Sequence, residues 1–381
     1  MIINFIQDLA TPHNNILLKE LNQDKEINLN VWYCLERHPQ YNWNTDLANE
    51  IKKAFIYKSK KIDWNFISYC LKNKSEKYFI VGWMNPTTKL LILLFWILRR
   101  DFNMWFDYPY DKAKRSGIAS ILRNIYYFIL KTSKAKIFCV GKMTLKYFKN
   151  RGFSEERLVN LPIFVDISKT KKDYISKKES IYKKYGIKNA DLFLSAGSRL
   201  VYEKGYDLLI EAINNLHKDI KANLKCVIAG KGEERYRLQS MIKKYKLEDN
   251  IFIEEWMEIA DFKALIANSN VFIHPARFDA YGGGTLNSMV VGTPVIGTYQ
   301  AGSAPDRVKD GINGFLYDCN DLKKLSELLE VLYFNKNKLI ESIFEPFGPV
   351  IVIVPFSVLT DESLGIDIFF FPIFDIKTPC I

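Results

Sequence analysis

The stretch Val271-FIHPARFDAYGGGTLNSMVVGTPVIG-Thr298 decides the fold. Val271–His274 is a short apolar run bounded by Pro275, which predicts a buried strand. Three consecutive glycines follow at Gly282, Gly283 and Gly284, and then Thr285–Val291 with helical spacing. Gly292 and Pro294 stop that helix, and Pro294–Thr298 is again a short apolar strand. Strand, glycine loop, helix and strand in this order form a βαβ unit, whose two strands lie parallel. A glycine turn at a helix start also offers unpaired N–H groups and a positive dipole end to an anion.

The same rhythm extends in both directions. Upstream, Leu192–Ala196, Lys225–Ala229 and Ile251–Ile253 read as strands, and Gly205–Leu216, Arg235–Tyr245 and Asp261–Ala267 as helices. The first part of the chain alternates in the same way, with strands expected at Ile2–Ile6, Asn30–Tyr33, Tyr78–Val81, Asn103–Phe106 and Ile137–Val140. The expectation is an α/β protein of two Rossmann-like, doubly wound domains facing a cleft: residues 1–167 and 185–343, joined by a Lys-rich linker at 168–184. Residues 344–381 differ in character. They are hydrophobic and aperiodic, with a single lysine, Lys377, and are expected to be an atypical tail.

Composition narrows the class. The chain has 381 residues, 48% of them hydrophobic and 25% charged, the balance of a folded protein large enough for two domains. Its net charge of +11 is unevenly placed: Lys112–Lys149 holds 10 basic residues and no acidic one. Such a surface attracts phosphorylated substrates, acidic lipid headgroups or nucleic acid, or is simply a solvated face. No recognised nucleic-acid-binding motif accompanies it, so no nucleic-acid partner is expected. Six widely spaced cysteines, without a CxxC pair, read as reduced core residues and not as a zinc site or a disulfide frame. With no signal peptide and no apolar run long enough to span a bilayer, the expectation is a cytoplasmic protein, at most peripheral on a membrane. Within the basic stretch, Ile118, Ile121, Leu122, Ile125, Phe128 and Ile129 follow helical spacing. They make either a core-packed helix, the favoured reading, or one lying on an anionic membrane surface.

Two clusters carry candidate chemistry. In Ser195-Ala-Gly197-Ser198-Arg199-Leu-Val-Tyr-Glu-Lys204-Gly205 two cations sit where a strand gives way to a helix, which suits a diphosphate; a plain loop with two surface cations is the bland alternative. In the opening stretch, Asp279 and Asn287 can bind hydroxyls beside the amides of Gly282, Gly283, Gly284 and Thr285. In the first half the loops beyond the strands are Asp8–Asn15, Asp107–Asp111 and Gly141–Lys142. His13, Asn14 and Asp107 are the acceptor-side candidates, although Asp107 equally suits a turn cap before Pro109. His274 reads as structural. No metal-ligand spacing is present.

From Leu192 to Tyr317 the chain resembles the donor domain of retaining family 4 glycosyltransferases with the GT-B fold, the glycosyl transferases group 1 family. The resemblance rests on Gly197-Ser-Arg199…Glu203-Lys204-Gly205, Ala229-Gly230-Lys-Gly232-Glu233, Pro275–Thr298, Gly302-Ser-Ala and Asp310-Gly-Ile-Asn313-Gly314-Phe-Leu. It implies a metal-independent transfer from a UDP- or GDP-linked sugar, with no further cofactor, to a glycan or lipid-linked acceptor in bacterial surface polysaccharide synthesis. It implies that Arg199 and Lys204 bind the donor diphosphate, and that Trp256 and Met257 lie at the nucleobase. The family has two glutamates at the positions of Asp279 and Asn287, so one carboxylate is shortened here and the other has become an amide. A nucleotide-sugar epimerase of the same fold and a binding homologue without full activity are the alternatives.

Overall fold

The computed structural model describes residues 1–34, 51, 54–57, 61–83, 85–109, 117–166, 169 and 171–335. The expected tail at 344–381, the start of the basic stretch at Lys112–Arg115 and Cys380 lie outside the described residues. The chain divides into two compact units, Met1–Asp166 and Ile167–Ile381.

The first unit is a parallel sheet of seven strands: β1 (Ile2–Gln7), β2 (Asn28–Tyr33), β3 (Ala54–Ile56), β4 (Lys77–Val81), β5 (Asn103–Phe106), β6 (Ile137–Cys139) and β7 (Leu158–Asn160). Their order across the sheet is β3-β2-β1-β4-β5-β6-β7. Burial on both faces explains the nearly continuous apolar runs of the central strands. Two of this unit's helices begin where a short polar side chain caps them. Thr11 Oγ1 accepts from Asn14 N at 3.1 Å, just ahead of Pro12–Gln23. Asn85 Oδ1 accepts from Thr88 N at 2.9 Å, ahead of Pro86–Ile97. Both helices carry proline at the first turn, where no amide partner is lost.

The second unit has six parallel strands: β8 (Leu192–Gly197), β9 (Leu224–Ala229), β10 (Ile251–Glu254), β11 (Val271–His274), β12 (Val295–Thr298) and β13 (Gly314–Tyr317). Their order is β10-β9-β8-β11-β12-β13. The chain runs outward on one side of β8 through β9 and β10, then returns to start the other side at β11. The loops after β8 and β11 therefore flank the point where the strand order reverses, the position at which open parallel sheets bind ligands.

Two expectations change. Residues expected as a linker are helical, at Lys171–Tyr174 and Lys178–Tyr185, and Tyr174 and Tyr185 are buried against the core of the second unit. Within the second of these helices Ile181, Tyr182 and Tyr185 lie at helical spacing, which is enough for a docked face. The core-packed reading of the helix Gly117–Thr132 holds for Ile129, which is buried, but fails for Ile121, Leu122, Ile125 and Phe128, which are 47–61% exposed. Cys34, Cys70, Cys139, Cys226 and Cys319 are free and buried.

Candidate functional site

The site is built where β8 and β11 end. β8 gives way to a loop that closes with one 3-10 turn, Tyr202–Lys204, and the helix Tyr206–Asn214 follows. Between them Gly205 is left-handed, with φ 69°, and a Cβ there would lie 2.0 Å from Pro275 O. Only glycine lets the β8 loop approach the β11 loop so closely. Gly282 has φ 89°, and its Cβ would lie 2.3 Å from His274 Cε1 and 2.9 Å from Asp279 Oδ2. The second glycine is thus required by the side chains it sits against as well as by its own backbone.

These approaches bring four side chains into a line. Lys204 Nζ is 2.5 Å from Asp279 Oδ2. His274 Nε2 is 3.1 Å from the same oxygen, and His274 Nδ1 is 2.9 Å from Thr285 Oγ1. All four are buried. Burial by itself would raise the Asp279 carboxyl. The Lys204 charge, together with the hydrogen bond and charge of His274, overcomes it and holds the group well below the usual carboxylate range. The other Asp279 oxygen has no partner among the described residues. Thr285 is the third residue of the helix Gly283–Val290, which Gly282 begins without a side-chain cap. Its first amides, on Gly283, Gly284 and Thr285, have no partner among the described residues. The result is a carboxylate, a buried ammonium and a helix start facing one another, able to hold an anion and a hydroxyl side by side.

A second charged cluster ties the same loops together. Asp207, in the first turn of the helix Tyr206–Asn214, receives Arg277 Nη1 on Oδ1 at 2.7 Å and Nη2 on Oδ2 at 2.9 Å. Arg237 Nη2 lies 3.0 Å from Asp207 Oδ2. Burial opposes ionisation of Asp207, and hydrogen bonds from Arg277 and Arg237 reverse the effect, so its carboxyl also titrates lower than usual.

The other expected donor residues lie in the loops after β8 and β10 and in the Gly283–Val290 helix of the second unit. Gly197 ends β8, and Ser198 Oγ lies 2.5 Å from Tyr206 Oη. Arg199 is half-buried in the same loop. Ser198 N donates to Ala229 O at 3.1 Å and Gly230 N to Glu254 O at 3.2 Å, lacing the ends of β8, β9 and β10. Trp256 and Met257 follow β10, both half-buried, with Met257 against the cluster that contains Ala229. Asn287 is buried in the Gly283–Val290 helix, and its side-chain amide has no partner among the described residues.

In the first unit, His13 Nδ1 lies 2.9 Å from Phe164 O, and Asn14 Nδ2 donates to Gln7 Oε1 at 2.7 Å. Asp107 Oδ1 accepts from the adjacent Tyr108 N at 2.8 Å, just before Pro109. Sequence reasoning overlooked Asp207 altogether and gave Arg277 and His274 no role in the site. Their signal was faint but present. Asp207 and Arg277 are opposite charges in the two segments that carry Lys204 and Asp279.

Residues 177–343 match the family described as glycosyl transferases group 1. Over 200 residues the chain is 29% identical to a GDP-mannose-dependent monoacylated alpha-(1-6)-phosphatidylinositol monomannoside mannosyltransferase of Corynebacterium glutamicum, a match covering 50% of each protein. Over 121 residues it is 26% identical to the O-antigen biosynthesis glycosyltransferase WclY of Escherichia coli, covering 32% of each. The chain thus spans only 32% to 50% of the length of these curated relatives. Among solved structures, Anabaena HepE in complex with UDP superimposes with a TM-score of 0.72 at 15% identity, covering 90% of this chain and 92% of that one. WaaG, a glycosyltransferase involved in lipopolysaccharide biosynthesis, gives a TM-score of 0.64 at 16% identity, covering 90% and 94%. At these identities the likeness establishes the fold, which is GT-B.

Proposed function

We propose that this chain, whose residues 177–343 match the glycosyl transferases group 1 family, moves a sugar from a UDP- or GDP-linked donor to a glycan or lipid-linked acceptor in surface polysaccharide synthesis. The observation that carries the reading is the buried contact of Lys204 with Asp279, 2.5 Å long, beside the uncapped start of the Gly283–Val290 helix. A bound UDP in HepE and the GDP-mannose dependence of the corynebacterial relative support a nucleotide-sugar donor.

In this reading the donor diphosphate lies against Arg199, Lys204 and the amides of Gly282–Gly284. Lys204 spends one of its three N–H donors on Asp279 and keeps others for phosphate oxygens. The partnerless Asp279 oxygen accepts a hydroxyl of the donor sugar, and Asn287 pairs with the ribose hydroxyls. Trp256 and Met257 border the base. His13, Asn14 and Asp107 belong to the acceptor side. The acceptor hydroxyl attacks the anomeric carbon from the face that the phosphate leaves. The C–O bond to phosphate breaks as the new glycosidic bond forms, the departing phosphate oxygen takes the hydroxyl proton, and configuration is retained. Cations and oriented amides, already in place, stabilise the charge that gathers on the leaving phosphate, without a metal ion.

A panel of UDP- and GDP-sugars tested by thermal shift identifies the donor, because a bound ligand raises the melting temperature by mass action. Lys204→Ala is expected to abolish release of nucleoside diphosphate from that donor. Wild-type turnover in this variant would end the assignment, and donor binding without turnover by the unaltered chain would point to the binding homologue.

A second feature points to where the reaction takes place. Ile121, Leu122, Ile125 and Phe128 are exposed on one helix within a stretch that has basic residues and no acidic one. This combination suits contact with an anionic bilayer, on which a lipid-linked acceptor would sit at the inner face of the plasma membrane.

A further inference from the structure

We infer that Asp207 and Arg277 form a positioning pair that holds Lys204 against Asp279. Lys204 ends a single 3-10 turn, and Asp279 lies in the loop between β11 and the Gly283–Val290 helix. A lysine on a flexible four-carbon stem does not fix its own direction. The neighbouring contacts supply what these loops lack. Arg277, two residues before Asp279, forks onto both oxygens of Asp207. The same guanidinium donates to Tyr202 O at 3.0 Å and lies 4.1 Å from the centre of the Tyr202 ring, two residues before Lys204. Phe278 N then donates to Glu203 O at 3.0 Å. Each residue of the ion pair is therefore flanked by a cross-link to the loop that carries the other.

The anchor is rigid. Asp207 belongs to a helix whose apolar face is buried in the core, with Leu209, Ile210, Ala212 and Ile213 all fully covered. Arg237, from the helix Arg235–Lys244, holds Asp207 Oδ2 from another side at 3.0 Å. Both Asp207 oxygens are thus taken by arginines, so this carboxylate orients Arg277 and leaves ligand contact to Asp279. A planar bidentate fork fixes direction as well as distance, which an ammonium in its place does not.

The geometric part of the inference stands by itself; its consequence for catalysis rests on the nucleotide-sugar reading above. The full chain is compared as wild type, Arg277→Lys, Arg277→Ala and Lys204→Ala. The Asp279 carboxyl is followed by 13C NMR against pH and assigned with Asp279→Asn. Among the described residues Lys204 and His274 contact it, and the phenol of Tyr206 lies near enough to feel its charge. In Lys204→Ala its midpoint is expected to rise, because the Lys204 charge is the largest cause that lowers it. Arg277→Lys keeps the cation but loses the fork, and its midpoint is expected to rise in the same direction. An unchanged midpoint in a folded Arg277→Lys overturns the inference, because Lys204 would then keep its place without the fork. If the alanine variant fails to fold, the lysine variant still decides. UDP and GDP binding by calorimetry is run alongside. Wild type that binds neither nucleotide defeats the nucleotide-sugar reading and leaves the titration result intact. Where the donor turns over, Arg277→Lys is expected to lower kcat at least tenfold with KM changed less than threefold. A rise in KM alone would show that Arg277 serves donor binding instead of the Lys204–Asp279 geometry.

Discussion

Lys204 Nζ and Asp279 Oδ2 stand 2.5 Å apart, with each residue only 8% exposed, although they come from different strand-to-helix loops. Taking both charges out of water costs several kcal/mol per ion, which their attraction must offset. Removing one partner is therefore worse than removing both. Lys204→Met should cost about 3–5 kcal/mol, because it strands a buried carboxylate. The double variant Lys204→Met/Asp279→Leu should recover most of that stability while staying inactive. Urea unfolding of the two proteins checks the order. A double variant less stable than Lys204→Met would mean that the pair is not what makes the single change costly.

The depressed Asp279 carboxyl sets the sign of a pH effect. With its folded value below the unfolded one of about 3.9, the unfolded chain binds more protons than the folded one as pH falls through that range. The stability this group contributes is fully present above about pH 5 and is lost as acid approaches the folded value. Asp279→Asn cannot titrate. Wild type should exceed this variant in stability above about pH 5, and by a shrinking margin below about pH 4. Equilibrium urea unfolding across that range gives the margin directly. A margin that grows in acid would reverse the assignment.

Gly282 and Gly292 separate steric from conformational cost. Both are left-handed, with φ 89° and 63°, but a Cβ at Gly282 meets His274 and Asp279 whereas one at Gly292 meets nothing within 4 Å. Gly292→Ala should cost about 1–2 kcal/mol, the ordinary penalty of a left-handed alanine. Gly282→Ala should cost more and should also push His274 from its place between Asp279 and Thr285. Chemical denaturation measures the first difference and donor turnover the second. Equal losses of stability would show that the His274 side chain yields without resistance.

The differing legibility of these features has a physical basis. β8 and β11 were visible because strands buried on both faces must be apolar, and the Gly282–Gly284 turn because few other residues permit it. β7 and β13 escaped notice as Leu158–Asn160 and Gly314–Tyr317, since the first offers only two apolar residues and the second opens on a glycine that reads as a turn. Arg199, Lys204 and Asp279 were singled out by their chemistry and placement. Asp207 was not, because an acid in the first turn of a helix already has a sufficient local reason there. Its partnership with Arg277 depends on the approach of two loops, which no local pattern encodes. The same limit applied to the Gly117–Thr132 helix. Periodicity identified an apolar stripe and could not say what covers it.

That stripe gives the last prediction. Ile125 and Phe128 are 47% and 58% exposed and belong to no buried cluster, although the Phe128 ring meets that of Trp96 edge-on at 6.3 Å, so replacing them with serine should lower the melting temperature only slightly. On an anionic bilayer each side chain would instead bury apolar surface worth about 1.5–3 kcal/mol when fully covered, and partial insertion of both still amounts to tenfold or more in affinity. The charged part of the attraction should weaken as salt shortens the Debye length, while the apolar part persists. Vesicles of phosphatidylglycerol and phosphatidylcholine should therefore sediment the chain more strongly than phosphatidylcholine alone, and the excess should fall with added salt. Ile125→Ser/Phe128→Ser should reduce binding at least tenfold in both low and high salt. Undiminished binding by this variant would move the membrane contact elsewhere on the molecule, and no binding by wild type would leave the exposed face to another partner.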